Sequence, residues 1–272
     1  MTLEIKGSTI LVTAGTSGLG LSVAKKLIQL GANVAINYAS NEQRAHDAVL
    51  ELEELVSGQS PTPDYMAVQA DVTKKSEIER LVAETVRWSG GKLDAVVSNA
   101  GWTKFATFND LDDNVDEDVW DKCYAANVKS HLFLCHAAKK YLEEAKGAFV
   151  MTSSVAGVKP SGSSIAYSVT KAAQIHLAKS LAMVMAPNIR VNAVSPGFME
   201  TNWIADFPQS RIEEAREKTL LKQITQVDVR KHVSSPQLEA NHHQDVADQI
   251  ILLIKSQSIT GTNVVIDSGF SV

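Results

Sequence analysis

The sequence is poor in the features that mark several classes of protein. It has only two cysteines, Cys123 and Cys135, among 272 residues. Both fall in one predicted helix, where they would lie roughly 18 Å apart along the axis, too far for a disulfide. A disulfide-stapled secreted domain is therefore excluded. We expect buried thiols in a reducing compartment.

Long apolar runs and concentrated positive charge are also missing. No stretch approaches the ~20 apolar residues that span a bilayer, and Met1 to Gly7 does not have the pattern of a signal peptide. The net charge of −5, with Lys and Arg scattered, gives no nucleic-acid surface. His242 and His243 lie near Asp245, but no further ligand has the spacing of a metal site. We expect a cytoplasmic protein without membrane, nucleic-acid or metal partners.

Apolar runs alternate strictly with amphipathic stretches over most of the chain. Continuous apolar runs are typical of parallel strands that are buried on both faces. The predicted strands are Thr9–Thr13, Asn33–Tyr38, Tyr65–Gln69, Ala95–Ser98, Ala148–Met151, Ile189–Val194 and Asn263–Ile266. Their alternation with helices predicts an α/β fold with a doubly wound, seven-stranded parallel sheet.

Two stretches depart from simple alternation. Pro196 and Gly197 are predicted to end the sixth strand, because proline cannot donate to a strand ladder. From 198 to 241 the alternation breaks down, apart from an amphipathic helix around Arg211 to Leu221. Nothing interrupts the sheet itself, so we predict one domain over residues 1–272 with an insertion at about 198–241.

A glycine-rich turn follows the first predicted strand. Gly15, Gly18 and Gly20 stand directly before an apolar-periodic helix. This arrangement aims backbone N–H groups and a helix N-terminus at a phosphate. A tight turn with close packing of helix on strand would need only one or two glycines. Three of them favour nucleotide binding.

Tyr167 and Lys171 form the other chemical signal, four residues apart at the start of a long helix. This spacing places both side chains on one face, and an ammonium beside a phenol is expected to lower the pKa of the phenol. Ser154 follows a buried strand, at the end of the sheet where ligands bind. The Tyr-x-x-x-Lys pair alone is a weak signal, since such pairs occur by chance on helix surfaces.

Taken in order, the glycine turn, Asn99-Ala100-Gly101, Asn127, Ser154, Tyr167-Ser168-Val169-Thr170-Lys171 and Pro196-Gly197 resemble the short-chain dehydrogenase/reductase family. The resemblance covers nearly the whole chain and implies a Rossmann fold. It also selects Ser154 over Ser153, because the serine then precedes the tyrosine by thirteen residues.

The resemblance implies roles for four catalytic residues. Tyr167 would be the general acid or base at a carbonyl oxygen, and Ser154 would donate a hydrogen bond to that oxygen. Lys171 would lower the pKa of the tyrosine and hold the nicotinamide ribose, and Asn127 would support a water that connects Lys171 to solvent. The expected cofactor contacts are Gly15, Thr16, Ser17, Gly18, Leu19, Gly20, Asn37, Tyr38, Ser40, Asp71, Val72, Asn99, Ala100, Gly101, Tyr167, Lys171, Pro196, Gly197 and Thr201.

The choice between NADP(H) and NAD(H) depends on the end of the second strand. A carboxylate there would bind the ribose hydroxyls of NAD, but Asn37 to Asn41 contains none. This absence favours NADP(H). NAD(H) stays possible, because no Arg or Lys lies in the glycine turn or at 37–41 to bind a 2′-phosphate.

The leading hypothesis is an NADPH-dependent reductase of a ketone, with small-molecule carbonyls or alcohols as substrates. The alternatives are an NAD-dependent dehydrogenase of a secondary alcohol, sugar or polyol, and a nucleotide sensor without catalysis. Residues 198–241 correspond to the family's substrate loop, in which Trp203, Ile204 and Phe207 either contact substrate or only pack the loop. The resemblance also implies a homotetramer or dimer.

Overall fold

The computed structural model describes residues 3–200, 209–226 and 245–272. The strands are β1 (Thr9–Val12), β2 (Asn33–Tyr38), β3 (Tyr65–Gln69), β4 (Ala95–Ser98), β5 (Ala148–Thr152), β6 (Arg190–Pro196), β7 (Met199–Glu200), β8 (Thr225–Gln226) and β9 (Asn263–Ile266). The α-helices are α1 (Gly18–Gln29), α2 (Glu42–Val56), α3 (Lys75–Trp88), α4 (Glu117–Tyr124), α5 (Ser130–Ala145), α6 (Ile165–Met185), α7 (Gln209–Lys218) and α8 (Asp245–Lys255).

Seven strands form one parallel sheet in the order β3-β2-β1-β4-β5-β6-β9. The predicted fold class is confirmed. β2 and β3 lie on one side of β1. β4, β5, β6 and β9 follow on the other side. Ligands of such sheets bind where the strand order reverses, beyond the carboxyl ends of the strands. The turn after β1 and the segment after β4 meet at this point.

The core lies on both faces of the sheet. Alternate residues of β5 show this: Val150 packs with α1, α2 and α8, whereas Phe149 and Met151 pack with α3, α5 and α6. All five β5 residues are buried. This double burial explains why the strands are nearly continuous apolar runs rather than alternating ones.

The sixth strand extends further than predicted. Pro196 belongs to β6 and pairs with Ile266 of β9. The expectation that proline would end the strand is wrong, because β5 pairs with β6 only as far as Val194. Beyond that residue β6 has a neighbour on one side, and a missing N–H on the free side costs no ladder bond.

The predicted helix that contains both cysteines is divided into parts. A 3₁₀ turn covers Asp112–Asn114, and α4 and α5 are separated by a π-helical turn at Ala125–Lys129. The cysteines therefore lie in different helices, Cys123 in α4 and Cys135 in α5, and both are free and buried. A small parallel pair, β7 with β8, was also not predicted.

No helix in the described ranges is long and apolar enough to cross a membrane. The predicted insertion at 198–241 lies largely outside those ranges.

Arg190 joins the start of β6 to the end of α8. Its buried guanidinium donates from Nη1 to the Leu253 carbonyl and from Nη2 to the Ile254 carbonyl, each at 2.7 Å. These carbonyls belong to the last turn of α8, where the helix leaves acceptors without partners. The side chain thus satisfies a helix end inside the core.

We expect Arg190→Met to lower the free energy of unfolding by roughly 2–4 kcal/mol, because two buried carbonyls lose a charged donor. Urea denaturation followed by circular dichroism measures the change. Arg87→Met is the matched control, since Arg87 is exposed in the last turn of α3. Equal effects of the two substitutions would contradict the capping role.

Candidate active site

The glycine turn between β1 and α1 leaves no room for side chains. A Cβ at Gly15 would lie 2.8 Å from the Ile36 side chain, and one at Gly20 would overlap the Ala14 carbonyl. Gly18 adopts φ +52°, a left-handed conformation that favours glycine. Ser17, before the first residue of α1, makes no side-chain cap, and the first turn carries no acidic residue. The free N–H groups of α1 are therefore available to an anion.

A cleft of about 780 Å³ begins at this helix end and runs across the carboxyl ends of the strands. Ser17, Gly18 and Leu19 line one end, and Ser154, Tyr167 and Lys171 line the inner part. Other segments supply the remaining walls: Ala106–Asn109, Ser161–Ser163, Pro196–Met199, Glu214–Thr219 in part, and Phe270. The uncapped start of α1 and the titratable side chains thus share one cavity.

Ser154 lies on a short 3₁₀ turn that packs against α6. The Ser154 Oγ accepts from the Ala156 N–H at 3.1 Å, and the Ser168 Oγ donates to the Ala156 carbonyl at 2.6 Å. The neighbouring Ser153 is buried, and its Oγ donates to the Lys171 carbonyl at 2.9 Å. Both serines line the cleft, but the Ser153 hydroxyl proton is used in a bond to the backbone of α6.

Tyr167 and Lys171 extend from the first turns of α6. Ser164 caps this helix by accepting from the Tyr167 N–H at 3.2 Å. The Lys171 Nζ lies 5.6 Å from the centroid of the Tyr167 ring. It donates to the Thr152 carbonyl at 2.9 Å and to the Gln174 Oε1 at 3.0 Å. The predicted pair is thus brought together, with the ammonium directed toward β5.

Burial dominates the protonation of both groups. It raises the pKa of Tyr167 to about 12, against which a hydrogen bond with Ser154 acts. It lowers the pKa of Lys171 to about 7. The expected lowering of the tyrosine pKa by Lys171 is therefore not found: desolvation of the phenolate is the larger effect. Near neutral pH the phenol is protonated, and the lysine lies close to its own midpoint.

Asn127 occupies the π-helical turn and is fully buried. Its Oδ1 accepts from the Trp102 N–H at 2.7 Å, and its Nδ2 donates to the Trp102 carbonyl at 2.9 Å and to the Thr170 Oγ1 at 3.0 Å. The side chain thus joins the segment after β4 to α6. Its amide is occupied by protein partners, so it supports the site from behind rather than lining the cleft.

The predicted cofactor contacts separate into two groups. The predicted contacts that line the cleft are Ser17, Gly18, Leu19, Asn99, Gly101, Tyr167, Lys171, Pro196 and Gly197. The others lie outside its lining: Gly15, Thr16, Gly20, Asn37, Tyr38, Ser40, Asp71, Val72 and Ala100.

Asn37 and Asp71 of this second group have structural partners. The Asn37 amide is buried and donates to the carbonyls of Tyr38, Val68 and Ala70. The Asp71 carboxylate accepts from Thr73 at its N–H and hydroxyl.

Several predicted residues lie outside the described ranges: Thr201, Trp203, Ile204, Phe207, His242 and His243. Within those ranges, no group of three or more His, Cys, Asp or Glu side chains could hold a metal ion.

Arg44 and Thr152 are among the cleft-lining residues that the sequence did not predict. Arg44 lies in the first turn of α2 and faces the same cavity as Ser17 and Gly18. Thr152 ends β5, and its buried Oγ1 has no hydrogen-bond partner among the described residues. Arg44 stands three residues past Asn41, in the helix that follows β2, so its charge is the sequence signal for a phosphate ligand at this end of the cleft.

Comparisons with known proteins agree with this geometry. The short chain dehydrogenase family model matches residues 8–212. A 3-oxoacyl-(acyl-carrier-protein) reductase of Staphylococcus aureus is 31% identical over 264 residues, which are 95% of this chain and 96% of the relative. Tropinone reductase-like 3 of Erythroxylum coca is 34% identical over 225 residues, 81% of this chain and 82% of the relative.

Among solved structures, a short chain dehydrogenase from Burkholderia cenocepacia in complex with NADP superimposes with a TM-score of 0.83 at 27% identity. The alignment covers 99% of this chain and 100% of that one.

The buried lysine gives stability a predictable pH dependence. Its pKa is about 7 in the folded protein, below the ordinary value of 10.5 that applies to the unfolded chain. Between these values the unfolded chain binds a proton that the folded chain does not, so wild-type stability rises with pH. Lys171→Met removes this contribution. We therefore expect the unfolding free energy of the wild type, minus that of the variant, to increase from pH 7 to pH 10.

Urea denaturation at several pH values measures this difference. Lys179→Met replaces an exposed lysine of the same helix and is the matched control. A difference for Lys171→Met that stays constant with pH would show that the buried lysine keeps its proton throughout.

Proposed function

Because this chain belongs to the short-chain dehydrogenase family, we propose that it reduces a ketone to a secondary alcohol with NADPH, using Tyr167 as the acid. Membership of the family makes it an oxidoreductase acting on CH–OH or ketone groups, and the family binds NAD(P). One observation carries the finer proposal: Ser154, Tyr167 and Lys171 lie in the same cleft as the uncapped N-terminus of α1.

The residues of the cleft fit a dinucleotide. The free N–H groups at the start of α1 suit the negative charge of a pyrophosphate. Deeper in the cleft, the unpartnered Thr152 Oγ1 and the buried Lys171 Nζ offer polar atoms to a ribose or carboxamide. When bound, the reduced nicotinamide would supply the hydride.

The residues of the chain would supply the proton and stabilise charge. As hydride reaches the carbonyl carbon, negative charge develops on the oxygen, and a hydrogen bond from the Ser154 hydroxyl would stabilise it. Tyr167 would then give its proton to that oxygen. The raised pKa of Tyr167 suits this direction, because the phenol is protonated at neutral pH. Loss of this proton would leave a negative phenolate. Lys171, with a pKa of about 7, would stabilise that phenolate by its positive charge and could then give a proton back to it.

Arg44 supports NADP(H) over NAD(H). The end of β2 has no carboxylate, so nothing there would repel a 2′-phosphate. The Arg44 side chain is exposed in the cleft wall, beside Ser17 and Gly18, and has no hydrogen-bond or ion-pair partner among the described residues. A guanidinium can bind a phosphate in a bidentate manner.

The substrate side of the cleft is partly apolar. Phe108 and Phe270 line it, and Ala215 and Thr219 contribute from the region around α7. These walls favour a carbonyl with an apolar substituent. The position of α7 also supports the assignment of residues 198–241 as a substrate loop.

A homo-oligomer also forms part of the proposal. Leu132 of α5 and Val169 of α6 are exposed apolar side chains. Val265 is similarly exposed on β9, an edge strand of the sheet. Apolar side chains in these places suit contact with further copies of the chain.

Tyr167→Phe should reduce turnover of ketones at least a hundredfold, because general acid catalysis contributes about that much or more. NADPH binding should persist, since the ring stays in place. Stopped-flow absorbance of the reduced nicotinamide and fluorescence titration measure the two quantities. Turnover equal to that of the wild type would show that another group gives the proton. A wild type that binds the cofactor but reduces no carbonyl in a broad panel would favour a sensor.

Arg44→Gln should weaken NADPH binding about tenfold, the loss of one charge-assisted contact, and leave NADH binding unchanged. Arg44→Lys should retain part of the preference. Arg87→Gln, which removes an exposed arginine outside the cleft lining, is the control. Equal losses for NADPH and NADH would contradict a contact with the 2′-phosphate.

A further inference from the structure

The buried face of α6 is polar where it meets the cleft. Tyr167, Lys171 and Gln174 follow one another at helical spacing along this face. After them the same stripe becomes apolar, with Ala178, Leu181 and Met185 all buried. Gln174 is completely buried. Glutamine is rarely placed in such a position unless its amide has partners.

Both ends of the Gln174 amide are used at the site. Its Oε1 accepts from the Lys171 Nζ at 3.0 Å, and its Nε2 donates to the Thr152 carbonyl at 3.0 Å. The Lys171 Nζ donates to the same carbonyl at 2.9 Å. The Gln174 amide, the Lys171 ammonium and the Thr152 carbonyl thus form a triangle of hydrogen bonds. Thr152 lies at the end of β5, two residues before Ser154. The triangle fixes the ammonium relative to strand and helix alike.

The surroundings of Lys171 contain little else that would hold a cation. The titratable groups that face it are Tyr167 on its own helix, Cys123 of α4 and His131 of α5. None of these is a carboxylate, and burial raises the pKa of Cys123. Among the described residues, the Gln174 Oε1 is the only side-chain acceptor that the Lys171 Nζ contacts.

We propose that Gln174 is a positioning residue, which holds the Lys171 ammonium in the active site through its amide oxygen while its amide nitrogen is anchored on Thr152. The catalytic consequence depends on the proposed function, but the contact itself does not. A neutral amide stabilises the ammonium less than a carboxylate would and more than an apolar side chain. The Gln174 amide therefore keeps the pKa of Lys171 in a range where the lysine can both hold and release a proton.

The direct test is the titration of Lys171 in the whole protein. Lysine labelled with carbon-13 at Cε gives a resonance whose chemical shift follows the protonation of Nζ, and Lys171→Met assigns it. Gln174→Leu removes the acceptor and should lower the midpoint by about one pH unit. Gln174→Glu adds a negative charge and should raise the midpoint by a similar amount. Gln174→Met keeps the length of the side chain but removes the acceptor, so it should lower the midpoint as Gln174→Leu does.

General damage to the fold would not move the midpoint in opposite directions. Thr85→Val is the stability control, because it removes a buried hydrogen bond to Leu81 on α3, a different helix. It should leave the Lys171 midpoint unchanged. The proposal would be overturned if the Lys171 midpoint were unchanged in all three Gln174 variants. It would also be overturned if the midpoint moved in the same direction in Gln174→Leu and Gln174→Glu.

Kinetics separate this inference from the proposed function. In the pH profile of kcat/KM for ketone reduction, the midpoint of the alkaline limb should move to lower pH in Gln174→Leu and to higher pH in Gln174→Glu. These shifts should match those of the Lys171 resonance. If the wild type reduces no carbonyl, the proposed function fails, and the resonance still decides the role of Gln174. If ketone reduction is found but the midpoints do not move, the role of Gln174 fails alone.

Discussion

The site depends on a buried cation, the Lys171 ammonium, which contacts no carboxylate in the part of the chain that the structure describes. Lys171 is 4% exposed, and among the described residues its Nζ donates hydrogen bonds to the Thr152 carbonyl and the Gln174 Oε1. Burying a charge is costly unless polar groups replace the lost water. The end of β5 and the face of α6 supply those groups, so the strand and the helix must meet correctly for the lysine to be tolerated. The same requirement brings Ser154 and Tyr167 to the cleft.

Much of the fold could be predicted because its signals are local. A buried parallel strand needs a continuous apolar run, and β2, β3, β4 and β9 have the predicted bounds. The boundaries that differ depend on pairing over long distances. Pro196 can stay in β6 only because β5 has already ended, and no local pattern contains this fact. The π-helical turn at Asn127 likewise depends on the backbone of Trp102, which is distant in sequence.

The site shows the same division. The pattern predicted that Tyr167 and Lys171 share a face, and they do. It did not predict their protonation, because desolvation depends on everything packed around the helix. Asn37 shows what the pattern leaves open. Its place in the sequence predicts a ligand contact, and in the structure its amide nitrogen donates to the Val68 and Ala70 carbonyls. Polar residues at strand ends serve both purposes, and only the three-dimensional contacts distinguish them.

The close contact at Gly157 has a consequence for how this cleft could be altered. A Cβ there would lie 2.5 Å from the Lys171 carbonyl carbon, so the turn that carries Ser154 is pressed against the backbone of α6. The Ser154 and Tyr167 hydroxyls are therefore carried by one rigid unit. The walls around them come from separate segments, such as Ala106–Asn109 and the region of α7. Exchanging wall residues would therefore change the shape of the cleft and leave intact the turn and the helix that carry Ser154 and Tyr167.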